Sequence, residues 1–86
     1  MPEFIFTKTA LKEFKKIELK RQKIIIKKLN WLSEQTDCLI FAKRLTNYKI
    51  GEYRFRIGDY RVIFDIDNEK NLIIIINVGH RREIYR

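Results

Sequence analysis

Eighty-six residues carry 19 Lys+Arg against 11 Asp+Glu, a formal charge of +8. With 45% hydrophobic residues the chain can build one packed core, which excludes wholesale disorder, and it is too short for two. A single cysteine excludes an internal disulfide framework and a cysteine-based zinc site.

The start, MPEFIFTKTA, has no long apolar stretch, and no apolar run approaches the ~20 residues that span a bilayer. One cytoplasmic domain over residues 1–86, with no membrane contact, is expected. Ten basic and five acidic residues up to Lys43, then nine and six beyond it, spread the charge along the whole chain. A small, strongly basic domain has the electrostatic footprint of a nucleic-acid binder, and a solvated lysine-rich surface has the same signature. The deciding question is whether the fold gathers charge onto one face.

In chain order, Glu3–Thr7 is short, apolar and aromatic and reads as a first strand. Thr7 or Thr9 can cap a following helix, on which Leu11, Phe14 and Ile17 form one apolar stripe. A break near Glu18–Arg21 leads to a second helix from about Lys20 to Glu34. Ile25, Leu29 and Leu32 form its stripe, and Ile24, Ile26 and Trp31 are expected to widen it as core. The Lys20–Lys28 run reads as a solvated helix face or an RNA-facing surface, and Cys38 as a small buried residue at the helix-to-strand junction.

From Ile40 the period becomes two. Tyr53, Phe55 and Ile57 alternate with Arg54 and Arg56, and Gly58-Asp59 separates this run from Tyr60-Arg61-Val62-Ile63-Phe64, a two-residue hairpin signal. Asp67–Asn71 is loop-like, and Leu72–Val78 is a nearly continuous aliphatic strand suited to a central position. The predicted fold is α+β, an N-terminal helical hairpin packed on a small, mainly antiparallel sheet.

The hairpin register opposes Ile57 to Tyr60, Arg56 to Arg61, Phe55 to Val62 and Arg54 to Ile63. Directly opposed residues share a face, so Tyr53, Phe55, Ile57, Tyr60, Val62 and Phe64 should meet the helices, and Arg54, Arg56 and Arg61 should share the other face. Opposed like charges destabilise a strand pair, so Arg56 facing Arg61 is a cost without a folding return unless Asp65 or Glu52 offsets it. A guanidinium fork suits phosphate oxygens. The tail adds His80, Arg81, Arg82, Tyr85 and Arg86, and His80 is the only side chain whose ordinary pKa lies near neutrality. No phosphate-cradling glycine loop, dinucleotide fingerprint or nucleophile elbow is present.

The run Tyr53-Arg54-Phe55-Arg56-Ile57-Gly58-Asp59-Tyr60-Arg61-Val62-Ile63-Phe64, followed by Val78-Gly79-His80-Arg81-Arg82-Glu83-Ile84-Tyr85, resembles the RelE/ParE toxins of prokaryotic toxin–antitoxin systems. The resemblance implies a helical hairpin on a small sheet and a RelE-like mRNA interferase. Such an enzyme enters the ribosomal A site and cleaves by attack of an RNA 2′-hydroxyl on its neighbouring phosphate, without metal or other cofactor. It further implies a RelB-like antitoxin as partner in a heterodimer or heterotetramer, with ribosome and mRNA as targets.

Matched by position, Arg54, Arg56, Arg61, Arg81 and Tyr85 would be catalytic, and His80, Arg82 and Arg86 would contact RNA. In this resemblance Arg54 and Arg56 stand where the ribosome-dependent members have lysine. Arginine does not give up its proton, so these positions offer charge and not a general base. His80 is the alternative source of acid or base chemistry, or an RNA contact. A ParE-like gyrase inhibitor without nuclease activity is the alternative function, and an inactive member that only binds its antitoxin is a third.

Overall fold

Strand β1 (Glu3–Phe6) ends at Thr7, whose hydroxyl accepts from the Ala10 N–H at 3.1 Å and so starts helix α1 (Lys8–Lys15). The computed structural model describes residues 2–46, 50–80 and 82. Beyond the short link after α1, Gln22 Nε2 donates to the Ile17 carbonyl at 2.8 Å and joins the link to helix α2 (Leu19–Ser33). A 3-10 turn (Cys38–Phe41) then precedes β2 (Lys43–Arg44), β3 (Tyr53–Ile57), β4 (Tyr60–Asp67) and β5 (Leu72–His80). Among the described residues no helix is long and apolar enough to cross a membrane.

The strands form one mixed sheet in the order β1-β5-β4-β3-β2. Only the β1–β5 pair is parallel, with Glu3 beside Leu72 and Phe6 beside Ile75. This places β5 inside the sheet, as its unbroken aliphatic run predicts. Between β4 and β5, Ile63 pairs with Asn77 and Phe64 with Ile75, so Ile76 is an extra residue in a bulge. Strict alternation would turn Val78 away from the face of Ile73 and Ile75. The bulge restores it, and all three are buried in one core.

That core joins Ala10 and Phe14 of α1, Ile25, Leu29 and Leu32 of α2, and Phe55, Ile57, Val62 and Phe64 of the sheet. Each buried aliphatic or aromatic side chain contributes about 1.5–3 kcal/mol of transfer free energy. The fold is the predicted α+β arrangement, and Cys38 is buried as expected.

Trp31 and Ile24 depart from expectation: they are 39% and 42% exposed. The buried stripe of α2 runs through Ile25, Leu29 and Leu32, spaced four and three residues apart. Ile24 and Trp31 sit about 100–120° around the helix from its centre. Ile26 is half-buried.

One polar link ties helix to sheet. Glu13 Oε1 accepts from the Val78 N–H and from Asn77 Nδ2, each at 3.1 Å. The pairing of β1 with β5 ends at Ile75, so Glu13 takes up an N–H that lies beyond the reach of β1.

Candidate functional site

The site is organised by the turn between β3 and β4. Gly58 has φ +58°, in the left-handed region that glycine enters without strain, and Ile57 pairs with Tyr60 across the Gly58-Asp59 loop. Each further step matches the predicted register: Arg56 opposite Arg61, Phe55 opposite Val62, Arg54 opposite Ile63 and Tyr53 opposite Phe64. Since Phe55, Val62 and Phe64 lie in the helix-packed core, Arg54, Arg56 and Arg61 share the opposite face.

The structure adds a cation that sequence reasoning missed. Lys43 of β2 pairs with Arg54, so its side chain joins the same face. A two-residue strand leaves no periodicity to read, so no local signal pointed to Lys43.

The three arginines are not equivalent. Arg56 is exposed and Arg54 half-buried, but Arg61 is only 9% exposed. Arg61 lies on an interior strand, flanked by Arg56 on β3 and by Gly79 on β5. Two hydrogen bonds draw the guanidinium groups of Arg56 and Arg61 together. Arg56 Nε donates to the Gly58 carbonyl at 3.3 Å, and Arg61 Nη1 donates to the same oxygen at 3.4 Å and to the Tyr60 carbonyl at 3.3 Å. Carbonyl dipoles at the turn thus offset part of the like-charge cost.

One end of the face is closed by the segment entering β3. Gly51 has φ +146° and lies against Ile63, where a Cβ would come within 2.4 Å of Ile63 Cγ2. Ile63 is fully buried on this side of the sheet. Asp65 Oδ1 accepts from the Glu52 N–H at 2.8 Å, and Leu45 N–H donates to the Glu52 carbonyl at 2.8 Å. That Asp65 oxygen therefore braces backbone. The cationic face therefore runs along β3 from Lys43 and Arg54 to Arg56 and Arg61 beside the turn.

His80 stands elsewhere. It pairs with Tyr60, with ring centroids 5.7 Å apart and edge-on, and so belongs to the face that carries the helices. Its Nδ1 accepts from the Arg82 N–H at 3.2 Å, and Arg82 is exposed. The predicted site residues Arg81, Tyr85 and Arg86 lie outside the described residues. Among the described residues no group of three or more His, Cys, Asp or Glu side chains could hold a metal ion. Burial and the neighbouring Asp37 carboxylate push the Cys38 thiol above its ordinary pKa of 9.0.

Comparison with known proteins places this arrangement. Residues 4–85 match the family model described as the ParE toxin of the type II toxin–antitoxin system parDE. A curated relative, Toxin RelG of Mycobacterium tuberculosis (strain ATCC 25618 / H37Rv), is 38% identical over 45 residues. That match covers 52% of this chain and 52% of the relative, so the chain spans about half the length of the curated relative it matches.

Among solved structures, a chain of the RelBE2 toxin–antitoxin complex of Mycobacterium tuberculosis superposes with a TM-score of 0.81 at 28% identity, covering 94% of this chain and 100% of that one. A chain of the RelB–RelE complex of Methanococcus jannaschii gives 0.62 at 28% identity, covering 94% of each. The intact E. coli RelBE complex shares the fold, with a TM-score of 0.74 at 23% identity over 93% of this chain and 96% of that one. With the family model spanning nearly every residue and the helical hairpin and five-stranded sheet in common, this chain belongs to the ParE toxin family of the RelE/ParE superfamily, in type II toxin–antitoxin systems.

Proposed function

We propose that this chain is a ribosome-dependent mRNA endoribonuclease, held inactive by a RelB-like protein antitoxin. The observation that carries the reading is the opposed Arg56–Arg61 pair, whose guanidinium groups converge on the Gly58 carbonyl while Arg54 and Lys43 extend the positive face. Folding alone does not favour like charges at a directly opposed position, whereas a phosphate between them does.

In the reaction proposed, an RNA 2′-hydroxyl gives its proton to solvent as its oxygen attacks the neighbouring phosphorus, and the 5′-oxygen leaves and takes up a proton from solvent, giving a 2′,3′-cyclic phosphate and a 5′-hydroxyl. Charge accumulates on the nonbridging oxygens of the phosphorane. Arg61, held by two carbonyls and mostly out of water, is a preorganised donor toward that charge, and such a donor contributes on the order of 3 kcal/mol. Arg56 and Arg54 add charge and in-line positioning. None of the three accepts a proton at neutral pH. His80, on the other side of the sheet, is left out of the proton transfers on this reading. By the resemblance, Arg81 would serve the scissile phosphate and leaving group, Tyr85 would stack on the nucleotide, and Arg82 and Arg86 would contact RNA.

The family description as a ParE toxin favours a second reading, inhibition of DNA gyrase without cutting nucleic acid. Two assays separate them. Purified protein added to a translating extract should leave mRNA fragments ending in 2′,3′-cyclic phosphate and 5′-hydroxyl groups, and should leave gyrase supercoiling untouched. Intact mRNA with blocked supercoiling would establish the gyrase reading instead.

A further inference from the structure

We propose that the groove between the α1–α2 link and the β3–β4 turn is a subsite for one nucleobase of the RNA, next to the phosphate held on the arginine face. The inference rests on the reading that the arginine face binds RNA, and it seats the neighbouring base on the other side of the sheet.

The groove consists of two cavities that share Tyr60 and His80 as a common wall. One, of about 270 Å³, is lined by Arg21, Ile24, Ile57, Asp59, Tyr60 and His80 among others. The other, of about 360 Å³, lies against Glu13, Lys16, Ile17, Glu18 and the same two rings. Together they fall in the range of roughly 300–1,000 Å³ typical of small-ligand clefts. Gly58 connects this groove with the arginine face. Its carbonyl accepts from Arg56 and Arg61, and the residue also lines the first cavity. The turn that gathers the arginines is thus the lip of the groove as well.

The lining fits a flat heteroaromatic ring. Tyr60 and His80 are half-buried and meet edge-on, with ring centroids 5.7 Å apart, and Ile24 and Ile57 supply apolar surface beside them. Every base has a π-face to set against such rings. Because Nδ1 of His80 accepts from the Arg82 N–H, the neutral ring carries its proton on Nε2, a donor suited to a carbonyl or ring nitrogen of a base. Charge orients the nucleotide. The first cavity sets Arg21 against Asp59, and the second sets Glu13 and Glu18 against Lys16. The phosphate is therefore favoured at Arg21, which is exposed and whose planar fork matches phosphate oxygens. An acidic peptide is disfavoured by the same carboxylates.

His80 is the chain's single histidine, so its Hε1 and Hδ2 proton resonances report on this groove alone. The probe is a 2′-deoxy trinucleotide, which lacks the attacking hydroxyl, titrated against the whole protein. The expected result is a saturable shift of the His80 signals. An abasic unit at one position of the trinucleotide should remove that shift and weaken binding about tenfold, the size of one base stacked on an aromatic ring. Tyr60→Leu should weaken binding comparably and make the affinity indifferent to that abasic unit, as a direct contact requires. Arg21→Ala should weaken it about fivefold or more through the phosphate. Circular dichroism confirms that each variant is folded.

A fully abasic trinucleotide that binds as well as the intact one and shifts His80 equally would overturn the proposal, since phosphate alone would then account for the response. So would the lack of any saturable His80 shift at millimolar trinucleotide, or an affinity indifferent to both Tyr60→Leu and Arg21→Ala. His80 shifts from an acidic helical peptide but not from the trinucleotide would give the groove to a protein partner and overturn it too. Cleavage of a translated message without a His80 response would sink the base subsite alone. A base-dependent response without cleavage would count against the nuclease reading alone.

Discussion

Arg56 and Arg61 donate to one carbonyl oxygen, that of Gly58, at 3.3 and 3.4 Å. Two cations directly opposed on adjacent strands are thus gathered at the turn. If this juxtaposition exists for an anion, Arg56→Gln should leave stability unchanged or raise it by up to about 1 kcal/mol, the size of a cross-strand pair effect. Cleavage should fall about a hundredfold. Chemical denaturation and a cleavage time course check the two halves, and a marked loss of stability would make Arg56 a structural residue.

The burial of Arg61 gives a sharper expectation. Arg61→Lys keeps the charge but loses the planar fork that reaches the Gly58 and Tyr60 carbonyls together. It should cost cleavage at least about tenfold, and Arg61→Ala on the order of a hundred- to a thousandfold. Wild-type rates in Arg61→Lys would show that charge alone suffices there.

Gly51 is a packing requirement. Alanine there would meet Ile63 Cγ2 at 2.4 Å with φ at +146°, and overpacking with backbone strain should cost about 1–3 kcal/mol. Because Glu52, next in sequence, is tied to Asp65 and Leu45, the loss should also loosen the wall beside the arginine face. Thermal melting of Gly51→Ala measures the cost.

The parts of the molecule legible in sequence were those governed by short-range periodicity. The Gly58-Asp59 turn and the two-residue alternation around it set the register that pairs Arg56 with Arg61. The aliphatic run after Asn71 marked a buried strand. What escaped depends on long-range placement. The β1–β5 pairing joins segments separated by both helices and three strands, and the two residues of β2 carry no pattern that would place Lys43. Trp31 and Ile24 read as core because they are apolar, whereas on α2 only Ile25, Leu29 and Leu32 are fully buried. Size and hydrophobicity do not decide burial at the margin of a helical stripe.

Glu13 offers a test of the helix–sheet link. Glu13→Ala would leave the Val78 N–H and the Asn77 amide without their shared acceptor, a loss of about 1–3 kcal/mol. Glu13→Gln keeps an oxygen there and should recover most of it. Equal stability of the two variants in urea denaturation would remove this link from the account.

Cys38 sets a pH expectation. Its thiol is buried and its pKa is raised, so the unfolded chain releases this proton first as pH rises. Its contribution to stability is therefore intact below the ordinary value of 9.0 and declines as pH climbs above it. Iodoacetamide should label the native protein near pH 8 far more slowly than the urea-unfolded chain. Equal rates would show that the thiol is accessible.

The central claim, that the arginine face cleaves mRNA on the ribosome, is tested most directly by primer extension on a translated message with purified ribosomes. Wild-type protein should produce cuts phased with the codons, and Arg61→Ala should not. An intact message under both proteins, with gyrase–DNA complexes trapped in a parallel reaction by the wild type, would contradict it.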